Sequence, residues 1–172
     1  MGFHTTLKTA FRHRAVLLLG GNLGDPLSIF ASAENFIERN SGSIVARSSV
    51  YLSEPWGNTD QPVFMNQALL LATPLPPGLL LQRMLDIEKA LGRTRKERWG
   101  PRIIDIDLLC YGNRVCRSEF LTLPHPALPE RRFALLPMSK VAANWRHPVL
   151  GKTTLQLLQA CTDPLQVWKM KE

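Results

Sequence analysis

The stretch Ile103-Ile104-Asp105-Ile106-Asp107-Leu108-Leu109-Cys110-Tyr111 decides the fold. In a β-strand residues i and i+2 face the same side. Asp105 and Asp107 therefore project together, while Ile104, Ile106 and Leu108 point the other way into a core. A strand with one apolar face and one charged face belongs to a sheet that is packed on one side and carries chemistry on the other.

Working outward, Ala15–Leu19 is a short apolar run ending at Gly20-Gly21 and reads as a buried first strand. Asp25 offers a helix N-cap and Pro26 a first helical position. Phe30, Ala33 and Ile37 follow at helical spacing, and Gly42 closes the segment. Ile44–Tyr51 reads as a strand, a Pro/Gly-rich loop runs from Ser53 to Pro62, and Phe64 to Ala72 forms the next strand. Pro76-Pro77 opens a second helix with an apolar stripe of Leu80, Met84, Ile87 and Leu91, stopped by Gly92. The order predicts an α+β, ferredoxin-like βαββαβ sandwich, with helices on one face of an antiparallel sheet. The proline-rich tail, with short helices of its own, is expected to wrap the sheet edge or line a site.

With 172 residues, 45% hydrophobic and 20% charged, the chain has the composition of one globular domain. We expect a flexible extension over 1–14 and a single domain over 15–172. No apolar run approaches the roughly 20 residues of a membrane span. The N-terminus is basic but lacks the apolar stretch of a secretory signal. Cys110, Cys116 and Cys161 have neither metal nor redox spacing, and the four histidines form no ligand pair. A cytoplasmic protein with free thiols and no structural zinc is expected.

The net charge of +7 is concentrated: Arg93, Arg95, Lys96, Arg98 and Arg102 fall within ten residues, opposed only by Glu97. This cationic loop leaves a helix end and enters the Asp-x-Asp strand. The two acids could pair with arginines as a salt-bridge patch, or hold magnesium, a hard cation that takes one or two carboxylates and completes its shell with water and phosphate. The cations favour the second reading. Phosphoryl-type transfer needs mostly positioning and charge neutralisation, through metal ions and arginines. The usual nucleotide loops are absent: Gly151-Lys152-Thr153 lacks its upstream glycine, where Arg146 stands, and Gly20 to Gly24 does not match the dinucleotide pattern.

Four stretches carry a family resemblance. They are Gly20-Gly21-Asn22-Leu23-Gly24-Asp25, Glu54-Pro55-Trp56-Gly57 through Asp60-Gln61-Pro62 to Asn66, Gly92 to Asp107, and Leu123-Pro124-His125-Pro126. In that order and spacing the chain resembles the 6-hydroxymethyl-7,8-dihydropterin pyrophosphokinases over roughly residues 15–155. The resemblance implies transfer of pyrophosphate from ATP to the pterin hydroxymethyl group, release of AMP, and two magnesium ions, within folate biosynthesis. It implies metal binding by Asp105 and Asp107, and stabilisation of the transferring group by Arg93 and Arg102. Arg95, Lys96 and Arg98 would lie on the closing loop, and Thr122, His125 and Arg131 would meet the nucleotide. Ser53, Pro55, Trp56, Phe64, Asn66, Trp99 and Phe133 would form the pterin site. A flat, polar-edged heterocycle suits aromatic faces and one amide.

Three positions depart from the family's pattern. Gly21 stands where serine is frequent, Phe64 where a tyrosine occurs, and Leu85 where the helix can be polar. The chief alternative is a small RNA- or DNA-binding domain, compatible with the charge. Single-strand readers place aromatics on adjacent central strands, a pattern missing here, and an Asp-x-Asp pair repels a phosphate backbone unless metal intervenes. We therefore expect no nucleic-acid or membrane partner, and a monomer or weak dimer.

Overall fold

In a computed structural model, which describes residues 13–94 and 100–171, the apolar run at the start of the chain forms β1 (His13–Gly21). Asp25 caps α1 (Pro26–Asn40) through Ser28, accepting its backbone N–H at 3.4 Å and its hydroxyl at 2.7 Å. The helix buries Phe30, Ala33 and Ile37, the residues its spacing predicts.

The strand expected over Ile44–Tyr51 is split into β2 (Ser43–Arg47) and β3 (Tyr51–Ser53). Ser48 makes the break. Its backbone N–H donates to Ala68 O and its hydroxyl accepts the Ala68 N–H, both at 2.9 Å, so a side chain completes the ladder where the backbone turns aside. Then come β4 (Phe64–Thr73), α2 (Pro77–Ala90) and β5 (Asp105–Tyr111). β5 begins two residues later than expected because the backbone of Arg102 turns to Asn22 instead of joining the ladder, accepting the Asn22 N–H at 3.0 Å.

The main sheet is antiparallel in the order β5-β1-β4-β3-β8, with β2 also pairing β4; β8 is Val167–Lys169. This is the expected α+β, ferredoxin-like βαββαβ order. Leu17, Leu19, Leu69, Leu71, Ile104 and Ile106 face α1 and α2 and form the larger core.

The second face is not bare, as a sandwich with helices on one side would leave it. The proline-rich tail makes a small hairpin, β6 (Cys116–Arg117) with β7 (Thr122–Leu123), and then α3 (Arg132–Val141) and α4 (Thr154–Ala160). Ala134, Leu135, Met138 and Leu157 pack on Val16, Leu18 and Ala68, covering part of that face. Thr153, the end of the P-loop lookalike, caps α4 in a reciprocal box with Gln156. What α3 leaves uncovered is the level of Gly20, Asp105 and Asn66, which are neighbours on β1, β5 and β4.

Candidate active site

Strand alternation brings the chemistry to one face. Gly20 sits opposite Asp105 on one side and Asn66 on the other, and Leu18 sits opposite Asp107 and Ala68. The side chains of Ser53, Phe64, Asn66, Asp105 and Asp107 therefore converge over Leu18 and Gly20. Trp56, Arg102, Arg131 and Phe133 close round them to make a cleft.

At one end of the cleft lies a charge network. Asp105 is shared by two arginines, Arg93 on one oxygen and Arg102 on the other, the second at 2.7 Å. The same Arg93 Nη1 lies 2.6 Å from Glu88 Oε2. Burial pushes the Glu88 carboxyl up to about 7, with the Asp105 charge adding to the rise and the Ile106 N–H and Arg93 opposing it. Burial likewise raises the Asp107 carboxyl to about 7, reinforced by Asp105 and opposed by Arg131 and Arg102. Two carboxylates on one strand face, one of them raised by burial, are a donor set suited to a hard divalent cation. Among the described residues no group of three or more acids, histidines or cysteines could hold a metal, so remaining ligands would come from phosphate and water.

At the other end is an aromatic and polar wall. Asn66 is buried, and its amide donates to Ser53 Oγ at 2.9 Å. The Arg102 guanidinium lies 5.4 Å from the centre of the Phe64 ring, and Arg131 lies 5.2 Å from Trp56 and 5.7 Å from Phe133. Cations within about 6 Å of the ring centres mark aromatic faces turned toward the cleft.

The expected residues are distributed as follows. Ser53, Trp56, Phe64, Asn66, Arg102, Asp105, Asp107, Arg131 and Phe133 line the cleft, and Arg93 stands behind Asp105. Pro55 is buried in the same loop without lining it. Thr122 and His125 line a neighbouring cavity with Arg117 and His147. His125 is held well below its usual range, to about 4, by burial and then by Arg131. Arg95, Lys96, Arg98 and Trp99 lie outside the described residues.

Sequence reasoning missed three residues. Glu54 lines the cleft and its carboxylate accepts the Gln166 N–H at 2.9 Å, fastening the tail to β3. Asn22 ties three segments together. Its amide donates to Gln61 Oε1 at 3.1 Å and to Pro62 O at 3.0 Å, and its oxygen accepts the Arg102 N–H at 2.9 Å. Glu88 is an acid 3% exposed on the apolar side of α2. Its spacing of four from Met84 and eight from Leu80 was the available signal: a carboxylate within a buried stripe needs a partner. Gly21 is held by close packing, since a Cβ there would lie 2.5 Å from Ile103 O.

The family model described as 7,8-dihydro-6-hydroxymethylpterin-pyrophosphokinase (HPPK) matches residues 16–143. Curated relatives called 2-amino-4-hydroxy-6-hydroxymethyldihydropteridine pyrophosphokinase are similar across most of both chains. The Methylorubrum extorquens protein is 43% identical over 152 residues, 88% of this chain and 94% of that one. The Synechocystis protein is 41% identical, covering 91% and 80%, and the Bacillus subtilis protein 34%, covering 91% of each. Among solved structures, a triple mutant of Plasmodium falciparum HPPK-DHPS with STZ-DHP superposes with a TM-score of 0.71 at 17% identity. An HPPK-DHPS in complex with substrates gives 0.69 at 15%. These share the fold, and this chain spans 43% of the length of each.

Proposed function

The chain belongs to the 7,8-dihydro-6-hydroxymethylpterin-pyrophosphokinase family, and from that premise we propose that its cleft transfers pyrophosphate from ATP to the hydroxymethyl group of 6-hydroxymethyl-7,8-dihydropterin. The hydroxymethyl oxygen loses its proton to solvent as it bonds to the β-phosphorus, the bond from that phosphorus to the oxygen bridging to the α-phosphate breaks, and AMP leaves with that oxygen. The product is the pterin diphosphate. The enzyme is a transferase of folate biosynthesis.

One observation carries the assignment of roles: a paired carboxylate and arginine cluster shares one sheet face with an aromatic-walled, amide-bearing slot. Asp105 and Asp107 would hold magnesium, two ions by family analogy. When bound, magnesium supplies positive charge to the phosphate oxygens. Arg93 and Arg102 orient Asp105 and offer guanidinium N–H groups to the charge that develops on the transferred group. Phe64, Phe133 and Trp56 exclude water and stack the flat ring, taking the place of the guanidinium planes that lie on them here. Asn66 and Ser53 present an amide and a hydroxyl to its polar edge. Arg131, facing both Asp107 and the aromatic walls, sits where nucleotide and pterin meet. His125 and Thr122 extend the nucleotide side. By family analogy Arg95, Lys96 and Arg98 would serve the nucleotide and Trp99 the pterin; all four lie outside the described residues.

Among the described residues no helix is long and apolar enough to cross a membrane. A cytoplasmic monomer or weak dimer is the accompanying reading, with small-molecule substrates in place of a nucleic-acid partner.

The test is to incubate the protein with ATP, a magnesium salt and the pterin, and to separate the products. The account expects AMP and pterin diphosphate in equal amounts, with neither formed when pterin or magnesium is omitted. ADP with a pterin monophosphate would overturn it.

A further inference from the structure

We propose that Glu88 is a positioning residue for this reaction: it fixes the Arg93 guanidinium and the peptide between Asp105 and Asp107 relative to each other. The inference rests on the functional reading above and adds a residue that touches neither substrate.

The end of α2 is built to bring Arg93 back over the helix. Gly92 takes a positive φ of 91°. Its N–H donates to Lys89 O, and the Arg93 N–H donates to Glu88 O, both at 3.0 Å. This is the paired closure of a Schellman turn, with glycine at the left-handed position and arginine one residue beyond. Arg93 is thereby placed directly over the side chain of the residue whose carbonyl it caps. The Glu88 carboxylate then takes its guanidinium at 2.6 Å, so one residue grips Arg93 by backbone and by side chain.

The other carboxylate oxygen does separate work. β5 is the last strand on its side of the described sheet, and groups from outside the sheet take its outer edge, as where Leu109 O accepts the His125 N–H at 2.9 Å. The Ile106 N–H donates to Glu88 Oε1 at 2.7 Å. Ile106 lies between the two acids, so this bond pins the backbone from which both project.

The residue type follows from the demands on it. Two donors, an amide N–H and a guanidinium, converge on a site 3% exposed, and a carboxyl group offers a separate oxygen to each of them. Glutamine would satisfy Ile106 but turn an NH₂ or a single shared oxygen toward Arg93. Arg93 is also bound to Asp105. When Asp105 engages substrate-borne cations, Glu88 is the contact that keeps Arg93 from following its own rotamer freedom out of the cleft.

The test is a double-mutant cycle with Glu88→Gln, Arg93→Ala and the pair together, reading kcat for AMP formation, the KM for pterin and the unfolding midpoint. Glu88→Gln is expected to lower kcat by about tenfold to a hundredfold with the pterin KM within about threefold. In the Arg93→Ala background it should change kcat by less than about twofold, because its route to the chemistry is already gone. Glu88→Gln should lower the unfolding midpoint in the wild-type background and leave it nearly unchanged in the Arg93→Ala background, where the carboxyl has already lost its guanidinium. Independent multiplication of the two kcat losses, or wild-type kcat in Glu88→Gln, would overturn the proposal. Should Glu88→Gln fold poorly, Gly92→Ala disturbs the same turn without touching either side chain. A kcat loss at kept KM is expected there, and wild-type kcat would overturn it. A wild-type protein that forms no AMP sinks the functional reading, while the unfolding half of the cycle still judges the Glu88–Arg93 coupling.

Discussion

Arg102 reaches the Asp105 carboxylate at 2.7 Å from three residues away, and its guanidinium at the same time lies over the Phe64 ring. One side chain thus joins the charged end of the cleft to its aromatic wall. Replacing Arg102 with alanine is expected to lower kcat for AMP formation by about a hundredfold to a thousandfold. Lysine should recover little, since it keeps the charge but neither forks onto oxygens nor stacks. Steady-state kinetics of the two variants checks this, and a lysine variant at wild-type kcat would count against it.

Asn66 and Ser53 form a buried polar pair that the aromatic wall encloses. Asn66→Ala should raise the KM for pterin by about tenfold or more while changing kcat less, because it removes contacts to a heterocycle edge that does not react. It should also cost about 1 kcal/mol of stability through the hydrogen bond lost at Ser53. A pterin binding titration and a denaturant melt read the two effects separately.

The Gly21 backbone packs against Ile103 with no room for a side chain. Gly21→Ala should destabilise the fold by about 1–3 kcal/mol, the usual cost of overpacking. It should also weaken nucleotide and pterin binding together, because the same contact seats the segment that carries Arg102. An alanine variant as stable as wild type would show that this segment gives way easily.

Histidine ionisation sets the acid limit. Burial holds His125 down to about 4 and also lowers His147, whose Nδ1 accepts the Val149 N–H at 3.2 Å and the Leu150 N–H at 3.1 Å. In the unfolded chain both rings take up a proton near 6.5, and in the folded protein they resist it. The His125 contribution is therefore complete above about pH 6.5 and falls as pH drops from there towards 4, with a slope of at most about 1.4 kcal/mol per pH unit, and His147 acts in the same direction. The raised Glu88 and Asp107 carboxyls act with the opposite sign over this range, so the His125 share is read as the difference between wild-type and His125→Gln denaturant melts from about pH 7 to 4.5, which should shrink as pH falls.

Local chemistry made much of the fold legible. The Asp25 cap with Pro26 marked the start of α1, and Asp-x-Asp in an apolar run marked both β5 and the side on which its acids stand. Ser48 was not legible as a break, because a hydroxyl that substitutes for a ladder bond depends on Ala68, twenty residues away. Short helices were expected in the tail, but their packing across the second sheet face was not legible, because the contacts of Ala134, Leu135 and Met138 with Val16, Leu18 and Ala68 join segments far apart in the sequence. At the site, the residue types that meet substrate could be named from pattern and family likeness. Those that hold them, Asn22 and Glu88, act through partners up to 80 residues away, and only the folded register brings them together.

The central claim is that the paired acids and arginines of this cleft carry out the transfer, and Asp107→Asn tests it most directly. The substitution replaces a half-buried carboxylate by a neutral group of the same shape, so the unfolding midpoint should hold or rise. AMP formation, measured across a magnesium titration to saturation, should fall by about a thousandfold while pterin still binds. A near-wild-type rate at saturating magnesium would contradict the account.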